Sequence, residues 1–140
     1  MNFVLDASVT MHWIYPGTPS EAAYATRVLT ALGAAEARVP AIWWLEVANV
    51  LARAEAKGQA SEAETEAFVG MLQKMSIAGD GATIRHALGA TLHLARRYGL
   101  SSYDAAYLEL ALREGLPLAT LDKELQKAAK QAGVQRFDPK

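Results

Sequence analysis

An α/β fold in three layers, a short parallel sheet held between helices, is what this sequence predicts. Three observations carry that prediction. Short strand-like runs alternate with longer stretches of helical periodicity along the whole chain. The first run, Phe3-Val4-Leu5, is apolar at consecutive positions, as in a strand covered on both faces. The first and last runs give way at once to polar residues that suit a helix start, so strand leads into helix in the manner of parallel crossovers.

Phe3-Val4-Leu5 stops abruptly at Asp6-Ala7-Ser8, where Asp6 or Ser8 stands near a helix N-terminus. Pro16, Gly17 and Pro19 break that helix. A second helix starts at Ser20 and runs through Ala31-Leu32 to Gly33, burying Tyr24, Val28, Leu29 and Leu32 on one face. Ala37-Arg38-Val39-Pro40 is a minimal second strand. A long helix over 42–57 is stopped by Gly58. Ser61-Glu62-Ala63-Glu64 is a capping box that opens a helix to about Met75, and the short turn between the two implies an antiparallel hairpin. After Ser76-Ile77-Ala78, Gly79-Asp80-Gly81 is a break. One helix then covers 83–98, up to Gly99. Ser101-Ser102 opens the next, carrying Tyr103, Ala106, Tyr107, Leu110 and Ala111. Residues 116–120 form a strand, Asp122 marks its junction with a helix over 125–132, and Val134, Arg136 and Phe137 suit a last short strand. With no repeat, linker or low-complexity tract, residues 1–140 are expected to form a single domain.

Composition narrows the function. The chain of 140 residues is 51% hydrophobic, enough to build a core. Fourteen basic and fifteen acidic side chains give a net charge of −1, which argues against a protein that grips nucleic acid by a large basic excess. The absence of cysteine removes disulfides, thiolate zinc sites and thiol nucleophiles, so a metal here must be held by oxygen or imidazole. No apolar run approaches the roughly 20 residues of a membrane span, and Met1-Asn2-Phe3 lacks a basic leader. A cytoplasmic protein without membrane contact is expected.

In parallel α/β sheets ligands gather beyond the carboxyl ends of strands. Asp6 and Asp122 sit there, Asp104 lies in the first turn of its helix, and Glu46 in the first turns of the 42–57 helix. Each has a plain structural reading. Asp6 and Asp122 suit helix caps, Asp104 completes a Ser-x-x-Asp capping pattern, and Glu46, Asn49 and Arg53 suit a solvent stripe. Together they suit a hard divalent cation such as Mg²⁺ or Mn²⁺, which prefers carboxylate oxygens and water and relieves the repulsion of clustered acids. Ser8 and Thr120, each two residues from an aspartate, are placed to support a carboxylate by hydrogen bonding. If the four acids share a pocket, the rest of the chain carries 14 positive against 11 negative side chains.

Four segments in order resemble the PIN-domain ribonucleases, and among them the VapC-type toxins of toxin–antitoxin pairs. They are Phe3-Val4-Leu5-Asp6-Ala7-Ser8-Val9, the run from Val39 to Asn49 with Glu46 at its centre, Leu100-Ser101-Ser102-Tyr103-Asp104-Ala105-Ala106-Tyr107, and Ala119-Thr120-Leu121-Asp122. The resemblance implies a PIN-like parallel sheet flanked by helices and an endoribonuclease dependent on Mg²⁺ or Mn²⁺. It makes Asp6 and Asp104 the main metal ligands, Glu46 a ligand directly or through water, and Asp122 a fourth, more variable acid, with Asn49 a polar position near the site. It further implies RNA as substrate, cleavage leaving a 5′-phosphate, a cognate antitoxin as partner and a homodimer.

Other features point elsewhere. His86 and His93 are two helical turns apart, roughly 10 Å, too far to share one ion, and with His12 they suit structural or surface roles. Trp13, Trp43 and Trp44 suit the core or a subunit contact. Lys123, Lys127, Lys130 and Arg136 suit either phosphate contacts or a solvated face. Met71, Leu72 and Met75 suit either an antitoxin-facing surface or the core. A phospho-accepting receiver domain wants adjacent acids after its first strand, but Ala7 follows Asp6; a haloacid-type phosphatase wants an aspartate where Ser8 stands. A non-catalytic interaction module, with the acids as mere caps, is the remaining alternative.

Overall fold

The computed structural model describes residues 1–15 and 17–140; of the predicted break after the first helix, Pro16 lies outside the described residues. Four strands, β1 (Phe3–Leu5), β2 (Ala37–Val39), β3 (Ile77–Gly79) and β4 (Leu118–Ala119), form one sheet in the order β3-β2-β1-β4. Every pairing is parallel, with Phe3 opposite Ala37, Leu5 opposite Ala119 and Val39 opposite Gly79. Helices flank it: α1 (Ala7–Met11), α2 (Pro19–Ala31), α3 (Ile42–Ala56), α4 (Glu62–Gln73), α5 (Thr83–His86), α6 (Leu92–Tyr98), α7 (Ser102–Glu114) and α8 (Lys123–Ala132). The α/β prediction therefore holds.

Strand order decides where a site can form. From β1 the chain moves outward through β2 to β3, then crosses back to lay β4 on the other side of β1. The connections leave β1 and β4 in opposite directions, which opens a crevice beyond their carboxyl ends. Asp6 and Asp122 follow those two strands.

Burial explains why the elements hold these places. Phe3, Val4 and Leu5 are fully buried, as consecutive apolar residues require when both sheet faces are covered. The Phe3 ring stacks on Phe137 with centroids 3.9 Å apart, and the Tyr24 hydroxyl donates to the Phe137 carbonyl at 2.6 Å, so the C-terminal segment is tied to sheet and α2 together. Residues 105–111 of α7 are all buried, which makes it the central helix. Trp43 is buried in the core, Trp13 donates its indole N–H to the Ala25 carbonyl, and Trp44 lies half-exposed, edge-on to Trp43. Leu72 and Met75 belong to the core, leaving Met71 at the surface.

Several boundaries shift. The capping box predicted at Ser61 and Glu64 is present, and a second one, Thr18 with Glu21, starts α2 at Pro19. The predicted last strand is a single bridge between Leu118 and Arg136. The expected single helix over 83–98 contains a π-helical turn, Ala87–Thr91, between α5 and α6. Strand β3 occupies residues read only as the approach to a break, and Asp80, read as part of that break, is buried. Its carboxylate takes two bonds from the Arg113 guanidinium, at 2.6 and 3.2 Å, while Arg113 also binds Glu109. This buried cluster fastens α7 to the end of β3. Burial pushes the Asp80 carboxyl up, but Arg113, the Ala82 N–H and the Thr83 hydroxyl more than offset it and hold it below the usual range.

Candidate active site

The cap reading of Asp6 fails on its geometry. Asp6 occupies the N-cap position of α1, yet its side chain makes no capping bond. It turns instead toward β4, where one oxygen, Oδ2, accepts from the Ser8 hydroxyl at 2.6 Å and from the Thr120 hydroxyl at 2.7 Å. Each hydroxyl is oriented in turn by a backbone donor: Ser8 Oγ accepts from the Leu121 N–H at 2.9 Å, and Thr120 Oγ1 from the Asp122 N–H at 3.1 Å. A hydroxyl has one proton, so both are committed to Asp6. This network pins the carboxylate and fixes the turn after β4, while Oδ1 stays without a protein partner among the described residues. Ser8 and Thr120 thus both hydrogen-bond the Asp6 carboxylate.

The other acids arrive on three helices. Asp122 is a true cap of α8, accepting from the Leu125 N–H at 3.0 Å through Oδ1, with no partner on Oδ2 among the described residues. Ser101 caps α7 by accepting from the Asp104 N–H, and among the described residues the Ser101 N–H makes no reciprocal capping-box bond to the Asp104 carboxylate. Glu46, half-buried on α3, accepts from the Tyr107 hydroxyl at 2.5 Å through Oε1. Asn49 is exposed one turn further along α3, with no hydrogen bond to the acids among the described residues. His12 bonds the Tyr15 carbonyl and lies near Glu21, while His86 and His93 sit on the α5–α6 segment.

The four carboxylates share one electrostatic environment. Burial is the main cause that pushes Asp6 up to about 6; the two hydroxyls oppose it, and the charges of Glu46 and Asp122 add to it. Asp104 is also pushed up to about 6, by burial first and then by the charges of Asp122 and Asp6, with Ser101 opposing. Burial raises Glu46, the Tyr107 bond opposes, and the Asp104 charge adds. None of the four is in an ion pair among the described residues. Repulsion that no basic side chain relieves is the condition a cation would correct.

The donor set fits such an ion. Four carboxylates contribute hard oxygen only, the chemistry Mg²⁺ and Mn²⁺ select. Among the described residues no three acid or histidine side chains stand close enough to close directly around a metal. An ion held here would therefore be bound partly through water, as Mg²⁺ commonly is.

Tyr107 is the residue that sequence reasoning passed over as a site member. It lies three positions after Asp104 and so on the same face of α7, which was the available signal. Burial, with the charges of Asp6 and Glu46, raises its phenol far above the usual range, so it remains a donor. Tyr107→Phe keeps the ring volume but removes the group that orients Glu46. If Glu46 holds a catalytic cation, cleavage is expected to fall by about 10- to 100-fold, the usual effect of losing a group that orients a metal-binding carboxylate, with unfolding temperature little changed. A rate equal to that of the unaltered protein, measured on RNA with saturating Mn²⁺, would remove Tyr107 from the site.

A parallel α/β domain with an acid cluster at its switch point is the class that fold and site define together. The PIN domain family model matches residues 3–131, and the chain belongs to this family, whose members are nucleases. Among the solved structures that share the fold are three at low sequence identity. One is PAE2754 from Pyrobaculum aerophilum, at 23% identity and TM-score 0.63, covering 91% of this chain and 87% of that one. Another is VapBC2 from Rickettsia felis bound to a DNA fragment from their promoter, at 15% identity and TM-score 0.63, covering 91% and 92%. The third is FitAcB from Neisseria gonorrhoeae, at 18% identity and TM-score 0.56, covering 99% and 98%. No curated protein matches. Among the described residues no helix is long and apolar enough to cross a membrane.

Proposed function

We propose that this protein is an endoribonuclease dependent on Mg²⁺ or Mn²⁺, acting as the VapC-type toxin of a toxin–antitoxin pair. Three charge effects support the reading: Glu46 and Asp122 act on Asp6, Asp122 and Asp6 on Asp104, and Asp104 on Glu46, across the β1–β4 crevice. A divalent cation held there would polarise a phosphodiester and make water a better nucleophile. The protein's own part is positional. Ser8 and Thr120 hold Asp6 by one oxygen and leave the other for the ion, Tyr107 does the same for Glu46, and the Leu125 N–H for Asp122. Asp104 completes the set from the start of α7.

The same composition favours water over the ribose 2′-hydroxyl as nucleophile. Metal-free cleavage through the 2′-hydroxyl calls for a general base with a matching acid, commonly histidine. His12 is bonded to a backbone carbonyl, and the other two histidines lie on the α5–α6 segment. Products should carry 5′-phosphate and 3′-hydroxyl ends. End analysis of a single-stranded RNA digested with Mn²⁺ is the test, and 2′,3′-cyclic phosphate ends would overturn the mechanism.

We take residues 1–140 as one domain working in the cytoplasm. An antitoxin and a second copy of the chain are its proposed partners. Trp44, Leu45, Ile84 and Leu88 leave apolar surface in water, with Leu88 88% exposed. Sedimentation of the chain alone tests the homodimer, and a monomer at micromolar concentration would remove it. Co-expression with the neighbouring gene tests the antitoxin, and failure to copurify any product of that gene would count against it.

A further inference from the structure

Beside the acid cluster lies a groove that the catalytic reading leaves unused. It has a volume of about 470 Å³, within the roughly 300–1,000 Å³ of small-ligand pockets. Leu118, Ala129 and Val134 give it apolar walls, and Gln126, Lys130 and Arg136 bring polar and cationic groups to it. It begins at Thr120, the residue whose hydroxyl holds Asp6, and runs beside α8 to Gly133. Thr120 thus both lines the groove and bonds Asp6, which sets the groove one residue away from the acids, none of which lines it.

Its cationic groups are arranged rather than scattered. Arg136 sits over the Tyr24 ring, 4.2 Å from guanidinium carbon to centroid, a contact that favours this placement before any ligand arrives. It also lines a second cavity with Tyr24, Arg27 and Leu121, so it borders both sides of the turn after β4. Lys123, Lys127 and Lys130 are exposed and recur at i, i+4 and i+7, a stripe along α8 that starts next to Asp122 and ends at the groove. Gln126 is fixed by donating to the Thr120 carbonyl at 2.9 Å.

We propose that this groove binds a nucleotide of single-stranded RNA flanking the scissile phosphate, with Lys130 and Arg136 on its phosphates and the base against the apolar wall. The assignment rests on the ribonuclease reading and names the path its substrate takes. Charge complementarity points to a polyanion, and the groove's place along α8, whose N-cap is Asp122, and against Thr120, which bonds Asp6, makes that polyanion the substrate. A single strand fits because its unstacked bases can enter a pocket and stack on a guanidinium plane.

The test uses fluorescence anisotropy of a labelled single-stranded RNA with Asp6→Asn protein, which is expected to bind without cutting. Adding Lys130→Gln and Arg136→Gln should lower affinity roughly tenfold and flatten the slope of log K against log salt by about 1.4, since each contact on a single strand contributes about 0.7. Lys57→Gln with Lys74→Gln, both exposed on other elements, is the control. Lys130→Glu alone, on an exposed helical position, repeats the test where Arg136→Gln disturbs the fold. In active protein the Lys130→Gln change should raise KM for RNA with kcat unchanged. Unchanged affinity and slope, or an equal loss in the control pair, would overturn the groove assignment while cleavage by the unaltered protein continued. A fall in slope without any cleavage by the unaltered protein would support the groove and overturn the nuclease reading.

Discussion

Asp6→Asn is expected to abolish cleavage, by about three orders of magnitude or more, and at the same time to make the metal-free protein more stable at neutral pH. The two effects share one cause. Asp6 is buried, and folding raises its carboxyl from an ordinary 3.8 to about 6. Each pKa unit is about 1.4 kcal/mol, so holding this group ionised in the folded state costs about 3 kcal/mol at pH 7. Asparagine keeps an oxygen to accept the Ser8 and Thr120 protons but carries no charge. It removes the oxygen proposed to hold the cation along with the repulsion from Glu46 and Asp122. Thermal unfolding in EDTA checks the stability half, and an Asp6→Asn protein that melts below the unaltered one would contradict it. RNA cleavage with excess Mn²⁺ checks the other half.

Lowering the pH from 7.5 to 5 is expected to strengthen the metal-free fold at this site while suppressing activity. Asp6 and Asp104 are both pushed up to about 6, so the folded protein holds their protons more tightly than the unfolded chain does. Their contribution to stability is fully present below about pH 4 and is lost as pH rises through about 6. Asp104 contributes the smaller part, because its half-exposed carboxylate is screened by solvent. A cation competes with those protons. Below about pH 6 its apparent affinity should fall by about tenfold per pH unit for each carboxylate that must lose a proton. The logarithm of kcat/KM at limiting Mn²⁺ should then rise with a slope between about one and two below pH 6 and level off above it. A flat profile from pH 5 to pH 7 would contradict the coupling of these two acids.

What the sequence made legible follows from how local each signal is. Phe3-Val4-Leu5 with Asp6, the Ser61–Glu64 box and the Ser101 cap are each decided within a few residues, and all appear where expected. The positions of the four acids at strand ends and helix starts were legible for the same reason. β3 was not. Ile77-Ala78-Gly79 holds a single strong strand former, and its pairing is made by β2 through bonds such as Ala37 N–H to the Ser76 carbonyl and Asp80 N–H to the Val39 carbonyl. The π-helical turn holds only Gly89 as a local breaker, too little to announce it, and forms where the segment packs on α7. Asp80 and Arg113 stand 33 positions apart, so nothing local announces their ion pair.

The site divides in the same way. Asp-x-Ser and Thr-x-Asp place a hydroxyl two residues from a carboxylate, but only the parallel pairing of β1 with β4 turns both hydroxyls onto one oxygen of Asp6. That cross-strand convergence separates a carboxylate drawn away from its helix from a true cap, and it differs between Asp6 and Asp122. Tyr107 was visible as an apolar-face residue of α7, while its bond to Glu46 depends on how α7 meets α3.

The central claim is that these carboxylates form one cation site, and thermal unfolding with and without Mn²⁺ tests it most directly. At pH 7.5 an ion that binds only the folded protein stabilises it by about 2.7 kcal/mol at a hundredfold excess over Kd. The unaltered protein should therefore melt at progressively higher temperature as Mn²⁺ is added, while Asp6→Asn and Asp104→Asn, already folded without metal, should show little or no rise. An equal rise in all three proteins, or none in the unaltered one, would contradict the site.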